Sequence, residues 1–412
     1  MNKTKLIYIF ALVALLTLGF LSWWLQSQPK IEKPKLEPKA PTITLKQRSF
    51  AELPGWETAR VKKSLLAFQI SCKTFLRQDP EQAVGSENID LKAKDWQPAC
   101  REAMAINPVS ENLARQFFQH WFTPVEFNDK EPVRGLFTGY YMASLHGSRT
   151  KTKEYNVPIY GLPSNLLTIN LELFDPGLKN RHVIGRIVGK QVVPYHTRAQ
   201  INKGAIDKKA PVLVWVNSHV DRLFLEIQGS GTVELTDGSY MYLGYAAQNG
   251  APYTAIAKVL IEQGVMTRDN ASMQHIKRYL EANPLKMHKV LNQNKSFVFF
   301  HTLKKEEALG AQGVALTPGY SLAVDRKWIP LGAPLWLKTT RPGKVNPEQE
   351  ESLQRLMIAQ DTGGAIRGLV RGDVYWGAGE SATFIAGHMK NKGHYWLLLP
   401  RHTVTWLNRN LS

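Results

Sequence analysis

Cysteine is almost absent from this chain: two in 412 residues, Cys72 and Cys100. Neither belongs to a CxxC, no histidine stands at metal-ligand spacing from them, and there is no HExxH, so no metal site is expected. A GxSxG elbow, a P-loop and a GxGxxG followed by an acid are also missing, which removes the usual serine-hydrolase and nucleotide-binding readings, and no cofactor is expected. Acidic residues are scarce, 34 Asp and Glu against 52 Lys and Arg, for a net charge of +18. Such a balance attracts nucleic acid, anionic lipid or an acidic polymer. No helix-turn-helix, zinc-finger or RNP pattern aims the charge at bases, and the positive residues are dispersed, so nucleic acid is not expected as a partner. The two cysteines either pair, closing a loop of about 28 residues in an oxidising compartment, or stay as buried thiols; the sequence leaves both open.

What the chain does have begins with one long apolar run, LIYIFALVALLTLGFLSWWL, from Leu6 to Leu25. About 20 residues at 1.5 Å each span a bilayer core. Lys3 and Lys5 precede the run, and Trp23 and Trp24 close it, a pattern that leaves the N-terminus in the cytoplasm and exports the rest. An uncleaved inner-membrane anchor is the favoured reading, within residues 1–28. A cleaved signal peptide is the alternative, although no small-x-small site follows Phe20. The run contains no cysteine for lipid attachment. Residues 29–55 open with Pro29, Pro34, Pro38 and Pro41 among lysines, and read as an extended linker.

From about Trp56 the pattern becomes helical. SLLAFQISCKTFL and ENLARQFFQHWF space their apolar residues by three and four, and Ser110 is placed to cap the second. From about Leu136 short strands dominate: FTGYYMASL, VPIYGL, HVIGRIVGKQVVPY, APVLVWV, RLFLEIQGSG and SYMYLGY. Helices are then expected in YTAIAKVLIEQG, closed by Gly264, and SMQHIKRYLEANP. The C-terminal part returns to strands in SFVFFHTL, YSLAVD, PLWLKT, RLMIAQD, DVYWG and HYWLLLP, with a short helix at about 380–390. A fold that is mostly β with some α, of barrel or sandwich type, follows.

The residues able to do chemistry are carboxylates beside glycines, chiefly in AQDTGGAIRGLVRGDVYWGAG. Asp361 ends an apolar strand and is followed by Thr362, Gly363 and Gly364. Asp373 opens the next strand, and Asp325 ends one upstream. The three are placed to converge at one mouth of a barrel. Clustered carboxylates in an apolar setting have raised pKa values, as a general acid requires. Asx turns at strand ends are the ordinary alternative, and spacing alone does not choose among the three.

Five ordered segments, TGYYMASLHGS, LEIQGSGTVELTDGS, GYAAQNGAPYTAIAKVLIEQG, ALTPGYSLAVDRKWIPLGAPLWL and AQDTGGAIRGLVRGDVYWGAGESA, resemble the membrane-bound lytic murein transglycosylase A family over roughly residues 130–400. The resemblance implies a double-psi β-barrel domain from residues 56–138 and 295–407, with a three-aspartate (3D) region at about 310–400. It also implies a barrel-like β domain inserted over 139–294, with a sugar groove between the two. It implies cleavage of peptidoglycan glycan strands in the periplasm, with Asp373 as the catalytic acid and Asp361 and Asp325 shaping the site. Thr138, Gly139, Tyr140, Tyr141, Gln228, Gly229, Ser230, Gly231, Thr362, Gly363 and Gly364 would line the groove. Cell-wall synthesis or division proteins are further expected partners.

Overall fold

The structure, a computed structural model, describes residues 43–178, 181–267, 270–343 and 346–404. The apolar run Leu6–Leu25 lies outside them. Among the described residues no helix is long and apolar enough to cross a membrane.

Four strands precede the insertion: β1 (Thr44–Gln47), β2 (Phe122–Asp129), β3 (Glu131–Pro132) and β4 (Gly135–Tyr140). β1 pairs along β2 and Leu53 is buried. Residues 44–47 and Leu53 thus belong to the folded body, inside the stretch expected as linker to 55. Between β1 and β2 lie helices Lys62–Phe75, Ala93–Ala105 and Glu111–Trp121. The third starts where Ser110 Oγ accepts from the Leu113 amide, satisfying one of the orphan donors of its first turn. The apolar faces of these helices bury Phe68, Phe75, Trp96, Phe117 and Phe118 in one core with the barrel strands. Cys72 and Cys100 form a disulfide that ties the first two helices.

The inserted region holds β5 (Ala143–Ser148), β6 (Val157–Tyr160), β7 (Leu167–Asn170), β8 (His182–Val188), β9 (Gln191–Pro194), β10 (Val212–Val216), β11 (Ser230–Leu235), β12 (Tyr240–Gln248) and β13 (Val298–Leu303). Six of these form a sheet in the order β13-β12-β11-β5-β10-β6. A bridge between Gly161 and Phe300 brings its two edges together, the barrel-like closure expected. β7, β8 and β9 make a separate three-stranded sheet. Two differences from the sequence reading appear here. β13 falls after the break expected at 295 yet belongs to the inserted sheet, where it pairs with β12. RLFLEIQ is not a strand: His219–Gln228 is a helix, capped by Ser218 Oγ on the Asp221 amide and ended by Gly229 at φ 77°. A left-handed residue there favours glycine, which has no Cβ to clash.

The chain returns with β14 (Ser321–Val324), β15 (Pro334–Pro342), β16 (Glu350–Asp361), β17 (Arg371–Tyr375) and, after helix Glu380–His388, β18 (Lys390–Pro400). Six strands close into a barrel in the order β18-β15-β16-β14-β17-β4, with β4 pairing back to β18. β14–β16 and β17–β4 are parallel and the other four contacts antiparallel, so strands from before and after the insertion interlock, as the double-psi barrel expectation requires. β18 is shared in segments: Lys390–Gly393 to β4, His394–Leu397 to β15 and Leu397–Pro400 to β2.

Candidate active site

Strand register places the carboxylates. Ala323 on β14 opposes Asp361 of β16 on one side and Asp373 of β17 on the other. Asp373 in turn opposes Thr138 of β4. Opposed residues project from the same face of a sheet, so Asp361, Ala323, Asp373 and Thr138 form one row. The alternating residues Leu322, Val324, Val374 and Phe137 are buried in the barrel core, so the row faces out of the barrel wall. Two strand spacings separate the two aspartates, on the order of 10 Å between backbones. Ala323 between them is covered by Tyr140, Ile366 and Tyr375.

Asp373 is half-buried. Its Oδ1 accepts from Thr138 Oγ1 at 2.6 Å, and Thr138 Oγ1 accepts from Arg371 Nη2 at 2.8 Å. Burial pushes the Asp373 carboxyl above its ordinary pKa, against the Arg371 charge and the Thr138 hydrogen bond, which favour ionisation. Arg371 stands two residues before Asp373 on the same strand face, in RGDVYWG. The alternation of a strand pointed to it, and reading the motif for acids alone passed over it.

Asp361 is held more tightly. Its Oδ2 accepts from Tyr140 Oη at 2.8 Å, and its Oδ1 from the amides of Ala311 at 2.9 Å and Thr362 at 2.8 Å. Burial nevertheless raises its pKa to about 6, the three donors lowering it and the Asp373 charge adding to the rise. Tyr140 is only 7% exposed; its ring packs on Tyr375 with centroids 5.2 Å apart, so it holds Asp361 and offers no open ring face. Burial and the neighbouring Asp361 hold the Tyr140 phenol well above its ordinary pKa, so it stays a hydrogen-bond donor.

The third aspartate is not part of the row. Asp325 is buried just past the end of β14. Its oxygens accept from the amides of Lys327 at 3.1 Å and Gly368 at 2.8 Å. It ties a turn to the loop joining Asp361 to Asp373; in place of three aspartates meeting at a barrel mouth, two share a row on the outer wall. On that loop Thr362 Oγ1 donates to the Val324 carbonyl at 2.9 Å. Gly363 lies half-buried and Gly364 exposed, and a Cβ built at Gly364 would stand 3.7 Å from the Cβ of Tyr253 in the inserted region. The loop therefore touches the second lobe beside the acids, and Tyr253 is a wall residue the sequence did not single out.

The two lobes join where the chain crosses between them. Trp376 N–H donates to the Tyr140 carbonyl at 2.9 Å and Met142 N–H to the Gly377 carbonyl at 2.8 Å. Gln228 Oε1 accepts from the Tyr141 amide at 2.9 Å. Gly231 opposes Ala143 in the parallel β11–β5 pair, with Gly229 and the buried Ser230 between Gln228 and Gly231. Gly139 lets Trp376 and helix Glu380–His388 close in: a Cβ there would lie 2.7 Å from Trp376 Nε1 and 2.9 Å from Ala386 Cα. Thr138, Gly139, Tyr141 and the Gln228–Gly231 segment thus flank one seam, with both acids on its barrel side.

A closed barrel with parallel pairs interlocking around an insertion, and two outward acids beside the seam, defines a two-lobed architecture with its acids on the outer barrel wall. The profile of the MltA specific insert domain matches residues 136–301 and that of the 3D domain residues 320–399. The chain is 34% identical over 267 residues to membrane-bound lytic murein transglycosylase A of Escherichia coli strain K12, a match covering 64% of this chain and 65% of that protein, just under two thirds of each. Among solved structures, MltA from Neisseria gonorrhoeae is 33% identical with a TM-score of 0.72, covering 88% of this chain and 94% of that one. E. coli MltA with bound chitohexaose is 26% identical with a TM-score of 0.60, covering 83% of this chain and 91% of that one. The chain belongs to the MltA family.

Proposed function

We propose that this protein is a lytic transglycosylase. It cleaves the β-1,4 bond between N-acetylmuramic acid and N-acetylglucosamine in peptidoglycan without water, leaving 1,6-anhydromuramic acid ends. The observation that carries this reading is the outward row in which Asp373 bears a raised pKa and its Oδ1 is anchored by Thr138. Family membership supports it, and so does the bound chitohexaose of the E. coli relative, a chain of the glycan type at issue.

Asp373 is the acid because its carboxyl is only partly engaged. Asp361 has both oxygens occupied by three donors, and a carboxyl so held is fixed as an acceptor. Asp373 protonates the glycosidic oxygen as the bond to C1 breaks. The ionised carboxylate then takes the proton of the C6 hydroxyl as that oxygen attacks C1. The nucleophile comes from the same sugar, so effective molarity replaces a bound water and a second catalytic carboxylate. Arg371, behind Thr138, limits how far the pKa rises and stabilises the carboxylate once the proton has left. Thr138, Gly139, Gln228, Gly229 and Thr362–Gly364 flank the bound strand, the buried Tyr141, Ser230 and Gly231 support that wall, and Tyr140 positions Asp361. The body works in the periplasm with residues 6–25 as its inner-membrane anchor, in keeping with the membrane-bound name of its relatives.

Mass spectrometry of muropeptides released from purified peptidoglycan tests the reading. Products lighter by one water are expected, and Asp373→Asn should lower their release by on the order of a thousandfold while circular dichroism stays native. Hydrated products would assign a two-carboxylate hydrolase using Asp361, and undiminished turnover in the variant would remove Asp373 from the chemistry.

A further inference from the structure

The sheet β7-β8-β9 has an apolar face that the rest of the described residues leave exposed. Register pairs Ile169 with Val183 and Ile187 with Val192, so these four lie on one face. The opposite face carries Ile184, which packs on the Tyr195–Phe299 core and against Gly250, where a Cβ would meet Ile184 Cβ at 2.6 Å. The sheet therefore turns its polar-and-isoleucine face inward and its aliphatic face to solvent. Ile187 is 64% exposed, and Phe174, just after β7, is 78% exposed. Contiguous apolar surface of this kind on an otherwise polar body marks a contact site.

We propose that this face rests on a lipid bilayer, as a membrane contact of the body distinct from the N-terminal apolar run. Two observations favour lipid. The face offers aliphatic side chains and no array of hydrogen-bonding groups, so it does not suit a hydroxyl-rich glycan. Exposed Arg181 and Lys190 flank the two ends of β8, the arrangement in which apolar groups enter the acyl boundary and cations meet anionic headgroups. Nearby Asp175 is engaged by the Gly177 amide at 2.8 Å, and the whole chain carries +18. A body docked through β7-β8-β9 presents the acid row at a set orientation to the membrane.

The test uses the full chain in vesicles of phosphatidylethanolamine and phosphatidylglycerol. Ile187→Cys is labelled with an environment-sensitive nitrobenzoxadiazole dye, the native cysteines being closed in their disulfide. Tyr240→Cys, exposed on β12 outside this sheet, is the reference site, and Val183→Cys serves if the first variant does not fold. A blue-shifted emission at residue 187, quenched by doxyl-labelled lipid at least about threefold more than at residue 240, is expected, with the difference growing as the anionic lipid fraction rises. Equal quenching at the two sites overturns the proposal. A blue shift without lipid quenching also overturns it, because another protein surface, such as a second copy, then covers the face.

Discussion

Asp361 and Asp373 differ in how much of each carboxyl is already committed, and that difference has a signature in pH. Asp361 has a folded pKa of about 6, above the unfolded value of roughly 3.9. A carboxyl raised on folding contributes stability that is fully present below the unfolded pKa and lost as pH rises through the folded one. The stability difference between wild type and Asp361→Asn, measured by urea unfolding, should shift in favour of the variant by up to about 3 kcal/mol between pH 4 and pH 7. A pH-independent difference would contradict the buried carboxyl. The sequence named both acids because they sit beside glycines at strand ends. It did not separate Asp325 from them, because separation depends on whether a side chain meets backbone amides of a loop, as Asp325 meets Lys327 and Gly368, or the outer face of a wall. The Ala311 amide was missed for the same reason, its partner Asp361 being distant in sequence, whereas Arg371 was readable from strand alternation beside Asp373.

Secondary elements were legible where cap and period agreed. Ser110 and the spacing of Phe117 and Phe118 announced the third helix. In RLFLEIQ the run Leu223–Phe224–Leu225 hid the helical period, although the Ser218 cap, Asp221 in the first turn and Gly229 after the end were all present in the sequence. Glycine packing is the feature least readable at this scale. Gly139 sits under the Trp376 indole and helix Glu380–His388, contacts that bring the two lobes' seam together. Gly139→Ala forces a Cβ into that space, and chemical denaturation should show a loss of about 1–3 kcal/mol, with activity reduced because Thr138 is the adjacent residue. An unchanged midpoint would mean that Trp376 moves aside freely.

At the scale of the molecule, the barrel class followed from strand density, while its interruption came from the family resemblance alone, with bounds that composition could not place, since inserted and enclosing strands share one composition. The linker end and the β13 boundary were both misplaced on that account. The Cys72–Cys100 disulfide braces the helices that cover the barrel. By the chain-entropy model its loop stabilises the fold by about 3–4 kcal/mol. Replacing both cysteines with alanine should lower stability by that amount under non-reducing conditions, and wild type treated with a reductant should approach the variant.

β18 lies along β2, β4 and β15 at once, and β4 waits for β17 across 235 residues of sequence. A nascent chain therefore carries its first barrel strands with open edges until nearly everything else has been made. Loop closure of that length is slow compared with local folding, so the inserted lobe has time to form first. The last two strands act as a clasp: until β17 arrives Thr138 has no Asp373 beside it, and until β18 arrives the barrel stays open between β4 and β15.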